Sequence, residues 1–276
     1  MGIHHGYLVT YMESYWVLYL ALGAFAGFIA GLLGVGGGLI IVPVLAFIFA
    51  AQHFPEAHII HMALGTSLAS IIFTSISSLK AHHGHGAVNW GIVRTISPGI
   101  VTGTLLGSYI AAQLPSAFLK VFFVVFLFYV GTQMLLNIKP KASRQLPAWP
   151  AMFGAGNAIG CISSWVGIGG GTLSVPFMTW CNVKMHEAIG TSAAIGLPIA
   201  VSGGIGYLLN GLAVTGLPAY SAGYVYLPAL AGVVAASVLT APLGAKVTHR
   251  LPVNKLKKIF AVLLYTLGVK MAWSLL

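Results

Sequence analysis

Two short glycine-rich stretches are the part of this sequence best suited to hold a ligand through the backbone. "GLLGVGGGLIIVP" spans residues 31–43 and "SWVGIGGGTLSVP" spans residues 164–176, so the motif G-x-G-G-G recurs at an offset of 133 residues. Glycine has no side chain and weakens a helix. Such a stretch can expose several N–H groups, and the N-terminus of a following helix adds partial positive charge. This combination suits an anion.

A second repeated motif supplies hydroxyl groups. It reads "HMALGTS" at 61–67 and "HEAIGTS" at 186–192. Hydroxyls near helix starts could bind substrate oxygens, or could cap or bond the helix backbone. Thr172 and Ser174 are further candidates, and because their counterparts Leu39 and Ile41 are apolar, unequal half-sites are expected. The predicted substrate-binding set is Gly34, Gly36, Gly37, Gly38, Thr66, Ser67, Gly167, Gly169, Gly170, Gly171, Thr172, Thr191 and Ser192.

The glycines have a second interpretation, which is close packing of membrane helices. Gly23, Gly27 and Gly31 have the small-xxx-small spacing that lets two helix backbones approach. A nucleotide-phosphate loop is disfavoured, because no Lys-Ser/Thr pair follows the glycines and no strand precedes them. The duplication, and the short apolar segment that follows each motif, favour a substrate-lining role over packing alone.

A histidine cluster raises the alternative of a transition-metal carrier. His82, His83 and His85 lie in "KAHHGHG" at 80–86, and imidazole suits zinc, nickel and copper. The segment is predicted to be a loop, has no carboxylate and has no counterpart in the second half. A solvated cytoplasmic loop is therefore favoured, and no metal ligand is assigned.

A membrane-embedded enzyme is the alternative from another class. It would need a nucleophile beside a base, or metal ligands, at membrane depth. Cys161, Ser163 and Ser164 have no carboxylate near them in the sequence. No catalytic residue and no cofactor are predicted, and the favoured interpretation is not an enzyme.

The composition predicts a membrane protein. Of 276 residues, 58% are apolar and only 6% are charged, against about 25% in soluble domains. About 20 apolar residues span the hydrocarbon core. Two shorter segments follow the glycine motifs, at about 38–51 and 171–181, so between eight and ten crossings are expected. The long segments lie at about 15–33, 60–79, 91–113, 117–137, 149–168, 187–209, 223–244 and 256–275.

Three motifs recur in the same order, which predicts two structural repeats. The third is "LGSYIAAQLPSAFLK" at 106–120, matched by "LGAKVTHRLPVNKLK" at 243–257. The predicted fold is all-α: a polytopic membrane protein with two inverted-topology repeats, each a glycine-broken helix pair plus three transmembrane helices. The first repeat is 1–137, the basic cytoplasmic linker is 138–148, and the second repeat is 149–276.

The basic residues support this arrangement. If each glycine-broken pair returns to its starting side, 11 of the 13 lysines and arginines gather on one face. The positive-inside rule makes that face cytoplasmic and places both termini outside. This sorting explains the excess of basic residues without a nucleic-acid partner. The chain has no aspartate, and its three glutamates lie at or beyond predicted membrane boundaries, so a carboxylate-based cation relay is hard to build.

At these motifs the sequence resembles the sulfite exporter TauE/SafE family, also called the 4-toluene sulfonate uptake permease family. "GLLGVGGGLIIVP", "ALGTS", "GIGGGTLSVP" and "AIGTS" carry the resemblance, which covers essentially the full chain. It implies a multi-pass protein of the inner membrane that carries sulfite or organosulfonates, with export the expected direction. The expected partners are a small sulfur oxyanion or sulfonate, membrane lipid and, if transport is coupled, an ion; members differ in substrate and direction.

Overall fold

Ten helices make up almost all of the described chain. In the computed structural model, the backbone is described for residues 2–33, 36–136, 143–248 and 253–275. The helices are α1 (Gly2–Leu33), α2 (Gly38–Ala51), α3 (Glu56–Gly84), α4 (Trp90–Gln113), α5 (Ser116–Leu135), α6 (Trp149–Val166), α7 (Gly171–Trp180), α8 (Met185–Gly211), α9 (Leu227–Thr248) and α10 (Val253–Trp273).

Each predicted segment corresponds to one of these helices, so the all-α prediction is confirmed. The loop predicted at 80–86 is wrong in part, because α3 continues to Gly84. The helix ends there because Gly86 adopts a φ of 66°, a left-handed conformation that suits glycine. The hydroxyl motifs were expected near helix starts, but α3 begins at Glu56 and α8 at Met185, so Thr66 and Thr191 lie in helix interiors.

Each glycine break makes a helix hairpin that returns to its starting side. The hydroxyl of Tyr19, in α1, donates to Oε1 of Gln52 just after α2, at 2.9 Å. In the second half, Trp180 ends α7, and its carbonyl accepts hydrogen bonds from the N–H groups of Ser143 and Arg144, which precede α6. Each hairpin therefore begins and ends on one side of the protein, as the charge argument assumes.

One kind of close helix–helix packing occurs at two places in the protein, through glycines at equivalent positions of the repeat. Gly23 and Gly27 of α1 pack directly against the backbone of Val233 and Ser237 of α9. Gly156 and Gly160 of α6, each 133 residues later, pack in the same way against Ile96 and Ile100 of α4. A Cβ at any of these glycines would collide with the neighbouring helix, so small residues set both helix–helix distances. The packing interpretation holds for these positions.

Helices α3 and α8 cross the centre of the molecule in opposite directions. Leu68 contacts Gly203, and further along α3 Ser75 lies beside Gly196. Higher residue numbers on α3 thus contact lower residue numbers on α8, which means that the two helices are antiparallel. α5 and α10 also pack together, with Gly131 against Tyr265 and Gly268 against Phe128. These paired contacts are those expected if two similar halves run antiparallel.

A small β-ribbon joins α8 to α9, which the sequence did not predict. Strands β1 (Ser221–Ala222) and β2 (Val225–Tyr226) pair antiparallel, in register Ser221↔Tyr226 and Ala222↔Val225. Gly223 turns the chain with a φ of 55°. The ribbon packs against α3, where Gly65 leaves room for the Tyr224 backbone.

The described helices present an apolar exterior. Five spans are long and apolar enough to cross a membrane, by length and composition: Tyr15–Leu32, Glu56–Gly84, Ser116–Leu135, Met185–Gly211 and Leu227–Gly244. α4 and α6 are not among these spans. Exposed tryptophans mark both ends, with Trp90, Trp149 and Trp180 at one and Trp16 and Trp273 at the other. Such belts mark membrane–water interfaces. The chain is a multi-pass membrane protein.

Candidate functional site

The two glycine breaks have the same backbone conformation. Gly37 and Gly170, at equivalent positions, have φ values of 74° and 79°, in the left-handed region that favours glycine. The carbonyl of Gly37 accepts the first hydrogen bonds of α2, from the N–H groups of Ile40 and Ile41. The carbonyl of Gly170 does the same for α7. The N–H groups that precede these bonds have no acceptor within their own helix.

The two breaks meet each other inside the protein. A Cβ built on Gly36 would lie 3.0 Å from Cα of Gly169, the residue at the equivalent position of the second motif. Gly38 packs against the carbonyl of Gly167 and against Ile168. Two motifs separated by 133 residues in sequence thus share one contact in the core.

A narrow cavity lies beside this contact. Its volume is about 10 Å³, which is enough for about one water molecule. An anion of several heavy atoms does not fit this space, so binding of such an anion would need a wider cavity. The cavity is lined by Ala30, Gly36, Thr74, Ser75, Ser78, Gly169, Ser192, Ala193 and Gly196. This lining offers hydroxyls and glycine backbone, with no charged side chain among the described residues.

Three residues of the predicted binding set border the cavity: Gly36, Gly169 and Ser192. The other described glycines of the motifs are packed instead. Gly37 faces the backbone of Ala26, Gly167 faces Val42 and Leu64, and Gly170 faces Ile199; Gly171 is buried at the start of α7. Gly34 lies outside the described residues. Binding by these glycines stays a prediction, and close packing explains the packed ones equally well.

The predicted threonines hold loops from the opposite half. Oγ1 of Thr66 accepts a hydrogen bond from the N–H of Tyr226 at 2.9 Å. Oγ1 of Thr191 accepts one from the N–H of Asn89, also at 2.9 Å. Ser67 donates to the carbonyl of Gly167 at 2.9 Å, which ties α3 to the second glycine break. Their arrangement indicates a structural role, and direct anion binding stays a prediction.

Two further hydroxyls follow the second motif. Thr172 and Ser174 lie on α7 and are 6% and 0% exposed. Neither hydroxyl has a hydrogen-bond partner among the described residues. Neither borders the cavity in this conformation.

Three hydroxyl residues of α3 border the cavity but were not among the predicted binding residues. Thr74, Ser75 and Ser78 follow Ser67 and Ser70 along one helix. Positions 67, 70, 74 and 78 are three or four residues apart, the spacing of one helix face. This spacing is the signal that could have identified them. Their counterparts on α8 are mostly apolar or glycine, so the cavity is polar mainly on the α3 side.

The side chains of the histidine cluster do not come together to form a metal site among the described residues. Nδ1 of His83 accepts from Nε1 of Trp90 at 3.4 Å, and the two rings meet edge to face. Nδ1 of His85 lies 2.7 Å from the carbonyl of Ala81. Among the described residues, no group of three histidine, cysteine or acidic side chains is placed to hold a metal ion.

Comparison with known protein families identifies the class to which this protein belongs. A family model described as sulfite exporter TauE/SafE matches residues 19–271, nearly the whole chain. The chain belongs to the sulfite exporter TauE/SafE family. The resemblance inferred from the glycine motifs is confirmed.

Individual TauE/SafE relatives agree on transport. A probable membrane transporter protein of Haemophilus influenzae is 38% identical, over 94% of this chain and 99% of its own length. Similarly named proteins of Bacillus subtilis and Methanocaldococcus jannaschii are 29% and 28% identical, over 84% and 96% of this chain and 89% and 99% of their own lengths. No solved structure matches the chain. The protein is a membrane transporter and not an enzyme.

Proposed function

We propose that this transporter is a secondary carrier of small sulfur-containing anions, such as sulfite or organosulfonates, and that it exports them across the inner membrane. The observation that carries the proposal is the contact between Gly36 and Gly169 beside a buried cavity lined by hydroxyls. N–H and O–H groups donate hydrogen bonds to anion oxygens, and the starts of α2 and α7 add the positive ends of two helix dipoles.

The residues that line the cavity also disfavour a cation as the substrate. The described residues among them include no carboxylate, and a buried cation needs anionic or carbonyl ligands to replace its hydration shell. The family description names sulfite, and the donor-rich cavity is consistent with an anion of that kind.

Transport would proceed by alternating access between two inverted repeats, 1–137 and 149–276, joined by the linker 138–148. The paired contacts of α1 with α9 and of α6 with α4 support this division, as does the antiparallel crossing of α3 and α8. Inverted repeats place a site at their interface, and one half rocks against the other around it. The position of the cavity beside Gly36 and Gly169 is consistent with such a site.

The orientation follows from charge. Lys80, Arg94, Arg144 and Lys184 lie at the end of the molecule where α3 ends and where α4, α6 and α8 begin. Lys139, Lys141, Arg250, Lys255 and Lys257 lie outside the residues whose side chains are described. The positive-inside rule makes this end cytoplasmic and puts both termini outside. Export along this axis would carry the anion from the basic end to the opposite one.

Flux measurements on the purified, reconstituted protein test the proposed function. Proteoliposomes are loaded with sulfite, methanesulfonate, thiosulfate, sulfate or chloride, and efflux is followed with and without the same anion outside. We expect saturable efflux of sulfite or a sulfonate. External substrate should accelerate this efflux, because a carrier can exchange an internal anion for an external one. Absence of flux for every sulfur anion, with intact reconstitution, would contradict the proposal, and non-saturable flux would indicate a channel.

A further inference from the structure

Ser75 and Ser78 lie in the wall of this cavity. They lie one helical turn apart on α3, and each side chain is only 6% exposed. Both border the cavity beside Gly36 and Gly169. Neither hydroxyl makes a hydrogen bond with any described residue, and both are open to a water molecule or a ligand in the cavity.

Neighbouring hydroxyls on the same helix behave differently. Ser70 donates to the carbonyl of Ser67 at 2.7 Å, and Thr74 bonds to the carbonyl of Ser70 and to the hydroxyl of Ser237. Ser77 donates to the carbonyl of Val238 at 3.3 Å. Bonding back to the helix is the ordinary state of serine and threonine in such helices. The hydroxyls of Ser75 and Ser78 are therefore available to a ligand in the cavity.

The charge around the cavity limits what that ligand is. The nearest ionisable groups on the helices that line it are Lys80, which is exposed, and Glu187, which accepts a hydrogen bond from Asn89 at 2.8 Å. Neither lines the cavity. The cost of moving an ion out of water rises with the square of its charge, so a dianion costs about four times as much as a monoanion. Neutral donors alone can offset the smaller cost.

We propose that the hydroxyls of Ser75 and Ser78 bind the substrate, and that the substrate is a singly charged sulfur oxyanion: hydrogen sulfite or a sulfonate, not sulfite dianion or sulfate. This inference rests on the proposed function and specifies its site and charge. In a conformation in which this cavity is wider, two of the anion's oxygens accept from the two hydroxyls, while the glycine side of the cavity allows close approach of the backbone.

Substitution in the full-length reconstituted transporter tests the binding role. Ser75→Ala and Ser78→Ala each remove one hydrogen bond to a charged ligand, so each should raise the KM for methanesulfonate about tenfold. Ser77→Ala is the matched control, because its hydroxyl bonds to α9 and not to the cavity. Unchanged KM in both variants and in the double variant would overturn the assignment, while flux by the wild type would leave the proposed function intact.

The pH dependence tests the charge of the substrate. Sulfite gains a proton near neutral pH, whereas methanesulfonate stays a monoanion throughout. At constant total sulfite, wild-type flux should fall with rising pH as hydrogen sulfite disappears, and methanesulfonate flux should stay constant. Equal sulfite flux on both sides of neutrality, or efficient sulfate transport, would overturn monoanion selectivity. Loss of flux for all anions at every pH would instead contradict the proposed function itself.

Discussion

The backbone N–H of Asn89 donates to Oγ1 of Thr191 at 2.9 Å, just before α4 begins. The same bond exists in the other half, between Tyr226 and Thr66. In both cases a threonine in the interior of a central helix holds the chain that enters a helix of the opposite half. The two halves are thus fastened to each other by equivalent bonds.

Loss of either threonine hydroxyl should destabilise the protein. Thr66→Val or Thr191→Val keeps the side-chain shape but leaves a part-buried N–H without its acceptor, which costs at most about 1–3 kcal/mol. Thermal unfolding in detergent should show a lower midpoint, and Thr→Ser at the same position should restore it. The KM of both variants also tests the predicted binding role, since a large rise at unchanged stability would favour direct anion binding.

Adding a methyl group at the contact between the two glycine breaks should reduce transport while folding is retained. A Cβ on Gly169 would lie 3.2 Å from Cγ2 of Ile71 and 3.4 Å from Cα of Gly36, so Gly169→Ala fits tightly without a severe clash. We expect normal membrane yield and at least a severalfold loss of sulfite or sulfonate efflux. Gly154→Ala is the control, because no heavy atom lies within 4 Å of the added carbon. Full activity of Gly169→Ala would argue against a site at this contact.

Glycines in the repeated helix contacts should be required for folding. In Gly160→Val the new side chain would meet the carbonyl of Ile100 and Oγ1 of Thr104, both closer than a real Cβ tolerates. Rigid backbone on the facing helix cannot yield, and overpacking costs about 1–3 kcal/mol or more. Size-exclusion chromatography after detergent extraction should show aggregation or loss of the monodisperse peak. A monodisperse Gly160→Val with wild-type stability would mean that α4 and α6 can separate.

Labelling with a membrane-impermeant maleimide should report the orientation. Cysteine is placed at Lys184 or at Thr215, both exposed loop positions, with Cys161 and Cys181 replaced by serine. Burial raises the pKa of the Cys181 thiol, although nearby Arg144 opposes this, so that native cysteine reacts slowly in any case. In intact cells Thr215→Cys should be labelled and Lys184→Cys should not. The reverse pattern would place the basic end outside.

Removal of the histidine cluster should leave anion flux unchanged. His82, His83 and His85 lie at the C-terminal end of α3 and just beyond it, and none of them lines the cavity. The triple alanine variant should therefore transport sulfite or sulfonate at the wild-type rate in proteoliposomes. If flux fell together with loss of bound zinc or nickel in metal analysis, the metal-carrier alternative would regain support.

Local patterns in the sequence were enough to predict the helices, the glycine breaks and the family. Hydropathy along the chain reflects the length of hydrocarbon to be crossed, and a glycine such as Gly37 or Gly170 ends a helix by its own conformational freedom. These properties depend on neighbouring residues, so they can be read without knowing what packs where. The ends of α3 were less predictable, because a helix can extend into the interface beyond its apolar part.

Only the tertiary structure decided which motif residues meet. Of the seven motif glycines within the described residues, Gly36 and Gly169 border the cavity, and the others are packed or buried. Helical spacing marks a hydroxyl-rich face of α3, but the sequence does not say which of its serines is bonded. Ser70 bonds to its own helix and Ser77 to α9, more than 100 residues away in the chain, whereas Ser75 and Ser78 border the cavity.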